Sequence, residues 1–355
     1  MINNKLNLFE YATKELSQDA ILLYLADCFN DKEKKQIGKK FLKTFYGNID
    51  GLKKVYSIKQ YHHIDVLIVL EFADKLDFLI IEDKVYSSEH SNQLERYKNE
   101  ISEGDFNYFG IPSKSKGNIV PIYFKPVLYD DNEKIIAVEK NEYIYKGYSD
   151  LLQVLNIAVE DTILNLFKEF FEARFKKDNE IVLAKNLSAL TKQFSVSDIM
   201  DSSCGQWILL KLLMQDLDKE YLSGKQYNGS SYGRPWTQYR FVVDKDSKQE
   251  NWSNLNLNGV VRGKYSYFFR LDWEKKGYYI SINQYIGDKN KANEDKKNER
   301  KILAEQLGTK YQSNNYKESK VFVVYFDSWE KLESQKEALK NAMCAISEYN
   351  QKKYN

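Results

Sequence analysis

The stretch HIDVLIVLEFADKLDFLIIEDKV, residues 63–85, limits what this chain can fold into more than any other part of it. Two apolar runs rich in β-branched residues flank Phe72-Ala73-Asp74-Lys75, the pattern of a β-hairpin. Ile64, Val66, Ile68 and Leu70 alternate with Leu67 and Val69, so both faces of the first strand are apolar. A sheet buried on both faces needs helices on each side. With the turn centred on Ala73-Asp74, Asp65 falls opposite Glu82, and His63 opposite Lys84. Side chains alternate along a strand, so Asp65, Glu82 and Lys84 then share one face at one end of the ladder, while Asp83 points to the other face. A slip of one residue would separate them.

The surrounding sequence supplies the helices. LNLFEYATKELSQDAILLYLADCF reads as helix in two pieces, with Ser17 as an N-cap, Asp19 in the first turn, and Leu16 and Ile21 as a hydrophobic staple. Glu15 then lies at the junction. An amphipathic helix is expected over residues 32–46 and another over 88–102, followed by strands in NIVPIYFKPVLY and EYIYK and by helices over residues 148–177. This order gives an α/β architecture, a mixed sheet flanked by helices. The polar run KKDNE at 176–180 is the expected boundary, with one domain over 1–178 and a C-terminal α+β domain over 179–355. In the second half, helices are expected over 181–195 and 205–222, then a loop SGKQYNGSSYGRPW, aromatic strands around 265–285, a strand at VFVVYF and a terminal helix.

Composition narrows the class of protein. At 43% hydrophobic and 29% charged residues, the 355-residue chain has the balance of a globular protein with a packed core. The formal charge of +2 neither demands nor excludes a polyanionic partner, so any nucleic-acid site must come from local arrangement. Cys28, Cys204 and Cys344 are far apart, which suits a reducing compartment and argues against a zinc cluster. The start MINNKLNLFEY lacks the apolar core of a signal peptide, and no run approaches a membrane span. A cytoplasmic location is therefore expected.

Two carboxylates and a lysine at a strand end form a coherent chemical device. Asp65 and Glu82 offer hard oxygen ligands of the kind Mg²⁺ accepts, and Mn²⁺ is expected to substitute. A metal there lowers the pKa of a bound water and offsets charge on a phosphodiester in the transition state. Lys84, one pleat repeat from Glu82, is placed to orient that water or hold a phosphate oxygen. The plain alternative is a polar strand terminus with a cross-strand salt bridge. Against it, an acid before four apolar residues in a buried sheet requires a partner or a metal. Gln93 and Tyr97 stand at helical i,i+4 spacing downstream, which a side-chain pair would also explain. His62 and His63 are adjacent and so point to opposite faces of a strand, which makes joint chelation of one ion difficult.

Asp65, then Glu82-Asp83-Lys84 after a hairpin, then NQLERY on the next helix resembles the PD-(D/E)XK nuclease superfamily, and ELSQDAILLYL resembles the N-terminal helix of one of its bacterial branches. The resemblance covers residues 1–160, with Ile64 where the named motif has proline. It implies a restriction-endonuclease-like αβββαβ core that cleaves nucleic-acid phosphodiesters with Mg²⁺. By that resemblance Asp65 and Glu82 are metal ligands, Lys84 is the catalytic lysine, Glu15 is a helix carboxylate near the metal, and Gln93 supports the site. DNA is the expected substrate and endonucleolytic cutting the expected mode, a homodimer is expected because two strands need two active sites, and defence or a mobile element is the expected setting. The alternatives are an RNA-directed nuclease and a non-catalytic binding or sensor protein on the same scaffold.

The second half carries a weaker pattern. Arg234, Trp236 and Arg240 surround flexible glycines, and Arg262, Lys264 and Arg270 lie among aromatics. Basic residues track phosphates and aromatics stack on exposed bases, so Arg234, Trp236 and Arg240, together with Tyr97 of the first half, are candidate nucleic-acid contacts. A half-buried aromatic sheet gives the same pattern. No GxxxxGK[ST] phosphate loop occurs.

Overall fold

The computed structural model describes residues 7–11, 14–84, 93–135, 140, 142–158, 160–216, 224–231, 234–241, 267–285, 301–308 and 318–354. The chain divides into two compact units, residues 1–179 and 180–355, each described by itself.

The first unit opens with helices α1 (Lys14–Asp27) and α2 (Lys35–Phe45). Strands β1 (Lys54–Tyr61), β2 (Ile64–Glu71) and β3 (Lys75–Asp83) follow, then α3 (Gln93–Glu103), β4 (Ser115–Phe124), the short α4 (Asp131–Lys134), β5 (Ile144–Lys146), α5 (Tyr148–Leu155) and α6 (Thr162–Val182). The five strands form one mixed sheet in the order β1-β2-β3-β4-β5. β1 to β3 are an antiparallel meander, and β4 and β5 add in parallel. This is a mixed α/β sheet flanked by helices, and it fits the PD-(D/E)XK-type core expected from the sequence.

The hairpin holds the register expected from its apolar pattern, with Val66 paired to Ile81 and Glu71 to Leu76. Val66 to Leu70 and Phe78 to Ile81 are all fully buried, so both faces are covered. On one face Leu67, Val69, Phe78 and Ile80 pack with Tyr97, Ile101, Phe106 and Ile111. On the other, α1 and α2 lie close: Gln18 of α1 hydrogen-bonds Asp83, and the Tyr46 hydroxyl after α2 donates to Asp77 at 2.5 Å. Each such fully buried aliphatic side chain contributes about 1.5–3 kcal/mol relative to exposure.

Three local expectations need correction. α1 is one continuous helix through Ser17, so Ser17 is buried inside it rather than capping a second helix. Leu16 is exposed while Ile21 is buried, so no staple forms. Helix continuity wins because Ser17, Gln18 and Asp19 turn inward, and Gln18 meets Asp83 there. The segment expected as a loop at 223–236 contributes instead to a hairpin, described next.

The second unit begins with α7 (Leu187–Gln193), α8 (Val196–Met200) and α9 (Ser203–Asp216). A five-stranded sheet follows, made of β6 (Gly224–Ser231), β7 (Arg234–Phe241), β8 (Tyr267–Glu274), β9 (Gly277–Tyr285) and β10 (Glu318–Phe326), and helix α10 (Leu332–Tyr354) closes it. All its described pairings are antiparallel, in the order β10-β9-β8-β7-β6. β6 is rich in Gly, Ser and Asn, which disguises a strand. Gly229 is needed there because a Cβ would stand 2.4 Å from the Trp236 ring.

Candidate active site

At one end of the β2–β3 ladder, Asp65 stands next to Glu82 and Lys84. The Lys84 ammonium pairs with Glu82 Oε1 and lies 3.9 Å from Asp65 Oδ2. The same Asp65 oxygen accepts the Asp83 backbone N–H at 3.3 Å. Glu82 is fully buried, whereas the Asp65 side chain keeps 35% exposure and gives the cluster its opening to solvent.

α3 supports Glu82 from above. The Tyr97 hydroxyl lies 3.0 Å from Glu82 Oε2 and 2.7 Å from the His63 carbonyl, and Gln93 Nε2 donates to that hydroxyl at 2.9 Å. Burial, then the Glu82 charge, raises the Tyr97 pKa, so the phenol remains a donor. Tyr97 itself has no exposure. A fully buried ring cannot stack on a base, so Tyr97 is not a nucleic-acid contact and instead fixes the Glu82 carboxylate. Gln93 and Tyr97 are thus more than an isolated i,i+4 pair.

Tyr97→Phe is expected to cost about 1–3 kcal/mol, because a buried carboxylate oxygen and a carbonyl lose their shared donor. Thermal melting of the variant checks it.

The opposite face of β3 carries a second polar cluster. Asp83 is buried and accepts the Gln18 amide at 2.5 Å. Burial, then the neighbouring Asp19 carboxylate, holds the Asp83 carboxyl well above the usual carboxylate range. Asp65 is also pushed up, to about 7, by burial first, then by Glu82 and less by Asp19, with Lys84 opposing. One lysine does not offset this concentration of carboxylates, and the local electrostatics favour a cation.

Could this donor set hold Mg²⁺? Among the described residues, no group of three or more His, Cys, Asp or Glu side chains forms a metal cage. Mg²⁺ does not require one, since it keeps several waters and binds through one or two carboxylates. Asp65 and Glu82 supply two hard carboxylates, with the Lys84 ammonium against Glu82 Oε1. Gln93 Oε1 is buried without a hydrogen-bond donor. These residues fit a small, hydrated, hard dication.

The remaining sequence candidates fall as follows. Glu15 lies in the first turn of α1, but its side chain is outside the described residues. Asp19, one helical turn later, is an acid of α1 whose charge reaches Asp65 and Asp83. Sequence reasoning assigned Asp19 to the helix dipole and passed over Gln18. The signal was present, since ELSQD is a polar cluster opening an otherwise apolar helix. His62 and His63 form the exposed β1–β2 turn, and His63 reaches the site through its carbonyl rather than its ring. In the second unit, Arg234 is exposed with its guanidinium 3.7 Å from the Trp273 ring centroid, and Trp236 is half-buried with Arg270 at 4.8 Å. Arg240 lies on β7 with its side chain outside the described residues, as are Arg262 and Lys264 altogether.

Comparison with known families bears directly on this cluster. Residues 56–177 match the PD-(D/E)XK nuclease superfamily. The PD-(D/E)XK match runs from β1 into α6 and contains Asp65, Glu82, Lys84, Gln93 and Tyr97. It stops short of α1 and of the second unit. No curated protein and no solved structure shows significant similarity to the chain. Nuclease chemistry, and with it a nucleic-acid substrate, is what the superfamily match supports.

Proposed function

We propose that this protein is a Mg²⁺-dependent nuclease that hydrolyses phosphodiester bonds, with DNA as its substrate. The observation that carries the proposal is the meeting of Asp65, Glu82 and Lys84 at one strand end inside the PD-(D/E)XK match. Asp65 and Glu82 would hold the metal, with Glu15 of α1 proposed as a further ligand. Bound there, Mg²⁺ would supply acidity to water and offset charge on the phosphate. Lys84 orients the attacking water from its position between the two carboxylates. Tyr97 and Gln93 keep Glu82 in its rotamer. The second unit, through Arg234, Trp236 and Arg240, contributes contacts to the nucleic acid.

Endonucleolytic cutting in defence or in a mobile element is the setting we assign, by analogy with the superfamily. A cytoplasmic location accords with three cysteines that form no disulfide. Among the described residues no helix is long and apolar enough to cross a membrane.

The test is a substrate panel of supercoiled plasmid, linear duplex, single-stranded DNA and RNA, each with Mg²⁺, Mn²⁺ or EDTA. Cleavage of DNA with either metal and none with EDTA is expected, and conversion of closed circles marks an endonuclease. Preference for RNA would move the assignment to the RNA-directed alternative. Binding without cleavage under every metal condition would overturn catalysis in favour of a sensor.

A further inference from the structure

The turn beside the active site leads into a run of aromatic rings that ends in solvent. Tyr61 packs edge-on against His62, with centroids 4.5 Å apart, and against Phe109 at 6.0 Å. Phe109 in turn meets Tyr108 at 5.3 Å. Tyr108 is 91% exposed and Phe109 41%. Consecutive exposed aromatics joined to a ring cluster differ from the scattered apolar residues of an ordinary surface, and they mark a binding surface.

The rings are fixed to the fold. Tyr61 and Phe78 both contact the buried Phe106, at 5.3 and 5.1 Å. A single 3₁₀ turn over Asn107–Phe109 ends at Gly110, whose φ of 70° lies in the left-handed region that glycine adopts without strain. Gln60 and His62 have φ of 51° and 52°, an uncommon conformation for side-chain-bearing residues, of the kind concentrated at functional sites. His63, the next residue of that turn, gives its carbonyl to the Tyr97 hydroxyl that holds Glu82. The Lys116 ammonium lies 5.6 Å from the Phe106 ring and donates to the Ser102 and Gly104 carbonyls, which ties this segment down.

We propose that Tyr108 and Phe109, backed by Tyr61 and His62, form a stacking platform for unpaired bases of a single-stranded nucleic acid whose backbone enters the Asp65–Glu82–Lys84 site. The inference rests on the nuclease reading and deepens it by naming the strand state of the substrate. Exposed rings stack on any base whose face is free, at about 1–3 kcal/mol per base. Within a duplex those faces are covered by neighbouring pairs.

Tyr108 gives a clean test because so exposed a side chain carries little of the fold. Full-length Lys84→Ala protein, with and without Tyr108→Ala, is titrated in Mg²⁺ against fluorescent oligothymidylate, oligouridylate and a hairpin duplex, with anisotropy as readout. Tyr108→Ala is expected to weaken single-strand binding about 5- to 100-fold. Duplex affinity and melting temperature should not change, and Tyr108→Phe should restore single-strand affinity. The two oligonucleotides separate DNA from RNA. Equal single-strand affinity with and without Tyr108→Ala, or no single-strand binding at all, overturns the platform. Cleavage by the wild-type protein is measured alongside: its absence sinks the nuclease reading, whereas cleavage with Tyr108-independent binding sinks the platform alone.

Discussion

Lys84→Ala is expected to lower the rate of phosphodiester cleavage by about 10²- to 10⁴-fold, the range for a positioned proton-transfer or charge-stabilising group. Its ammonium is the cation that the structure places between Glu82 and Asp65, and its side chain is only 13% exposed. In the proposed mechanism it fixes the direction of the attacking water, which a freely tumbling water cannot reproduce. The substitution also leaves two carboxylates facing each other without that lysine, so the metal-free variant should melt lower than the wild type. Mg²⁺ should restore part of the difference, which separates a catalytic loss from a folding loss. Lys84→Arg keeps the charge but replaces a compact ammonium with a wide planar group, and should remain strongly impaired. Cleavage by Lys84→Ala within about 3-fold of wild type would remove Lys84 from the mechanism.

Asp65→Asn should separate activity from stability in opposite directions. Activity is expected to fall at least 100-fold, because a carboxylate ligand is lost. Stability of the metal-free protein is expected to rise. The Asp65 carboxyl has a folded pKa pushed up to about 7 from 3.8, so the native state prefers it protonated. Its contribution to stability is therefore fully present below pH 3.8 and is lost as pH climbs through about 7. Discounted for screening of a side chain that is 35% exposed, the cost at pH 8 is about 1 kcal/mol, or ~2–4 °C in melting temperature. The Asn variant should thus melt higher than wild type at pH 8 and equally near pH 4. Mg²⁺ should stabilise only the wild type, and less so below pH 7, where protons compete for the ligand. A lower melting temperature for Asp65→Asn at pH 8 without metal would contradict this electrostatic account.

Much of the site was legible because the hairpin carries it. The β-branched runs on either side of Ala73-Asp74 set the register, and the register alone brings Asp65 to Glu82 and Lys84. β1 was harder to read, because KVYSIKQY mixes charge and polarity at positions that its neighbour β2 and the helices still half-cover. β6 was hidden by Gly229 and its polar neighbours, whose pairing is decided by β7 and by the Trp236 indole lying against that glycine. The polar cluster ELSQD marks Gln18 and Asp19 in the sequence, but their inward turn is a tertiary effect of the buried Asp83, which the local pattern does not fix. Tyr97 shows the same limit: its spacing from Gln93 was visible, while its complete burial and its hold on Glu82 depend on how α3 lies over the sheet.

The most direct measurement pairs Mn²⁺ occupancy, read by electron paramagnetic resonance, with single-turnover cleavage of a labelled DNA on the same samples of wild type and Glu82→Gln. Glu82 is fully buried, with one oxygen against the Lys84 ammonium and the other against the Tyr97 hydroxyl, so no surface carboxylate can take its place as a ligand. The account predicts that wild type binds Mn²⁺ and cleaves, and that Glu82→Gln loses occupancy and cleavage together while staying folded. Cleavage by Glu82→Gln at the wild-type rate, or unchanged Mn²⁺ occupancy in a folded variant, would contradict the assignment of this site as the metal centre of a nuclease.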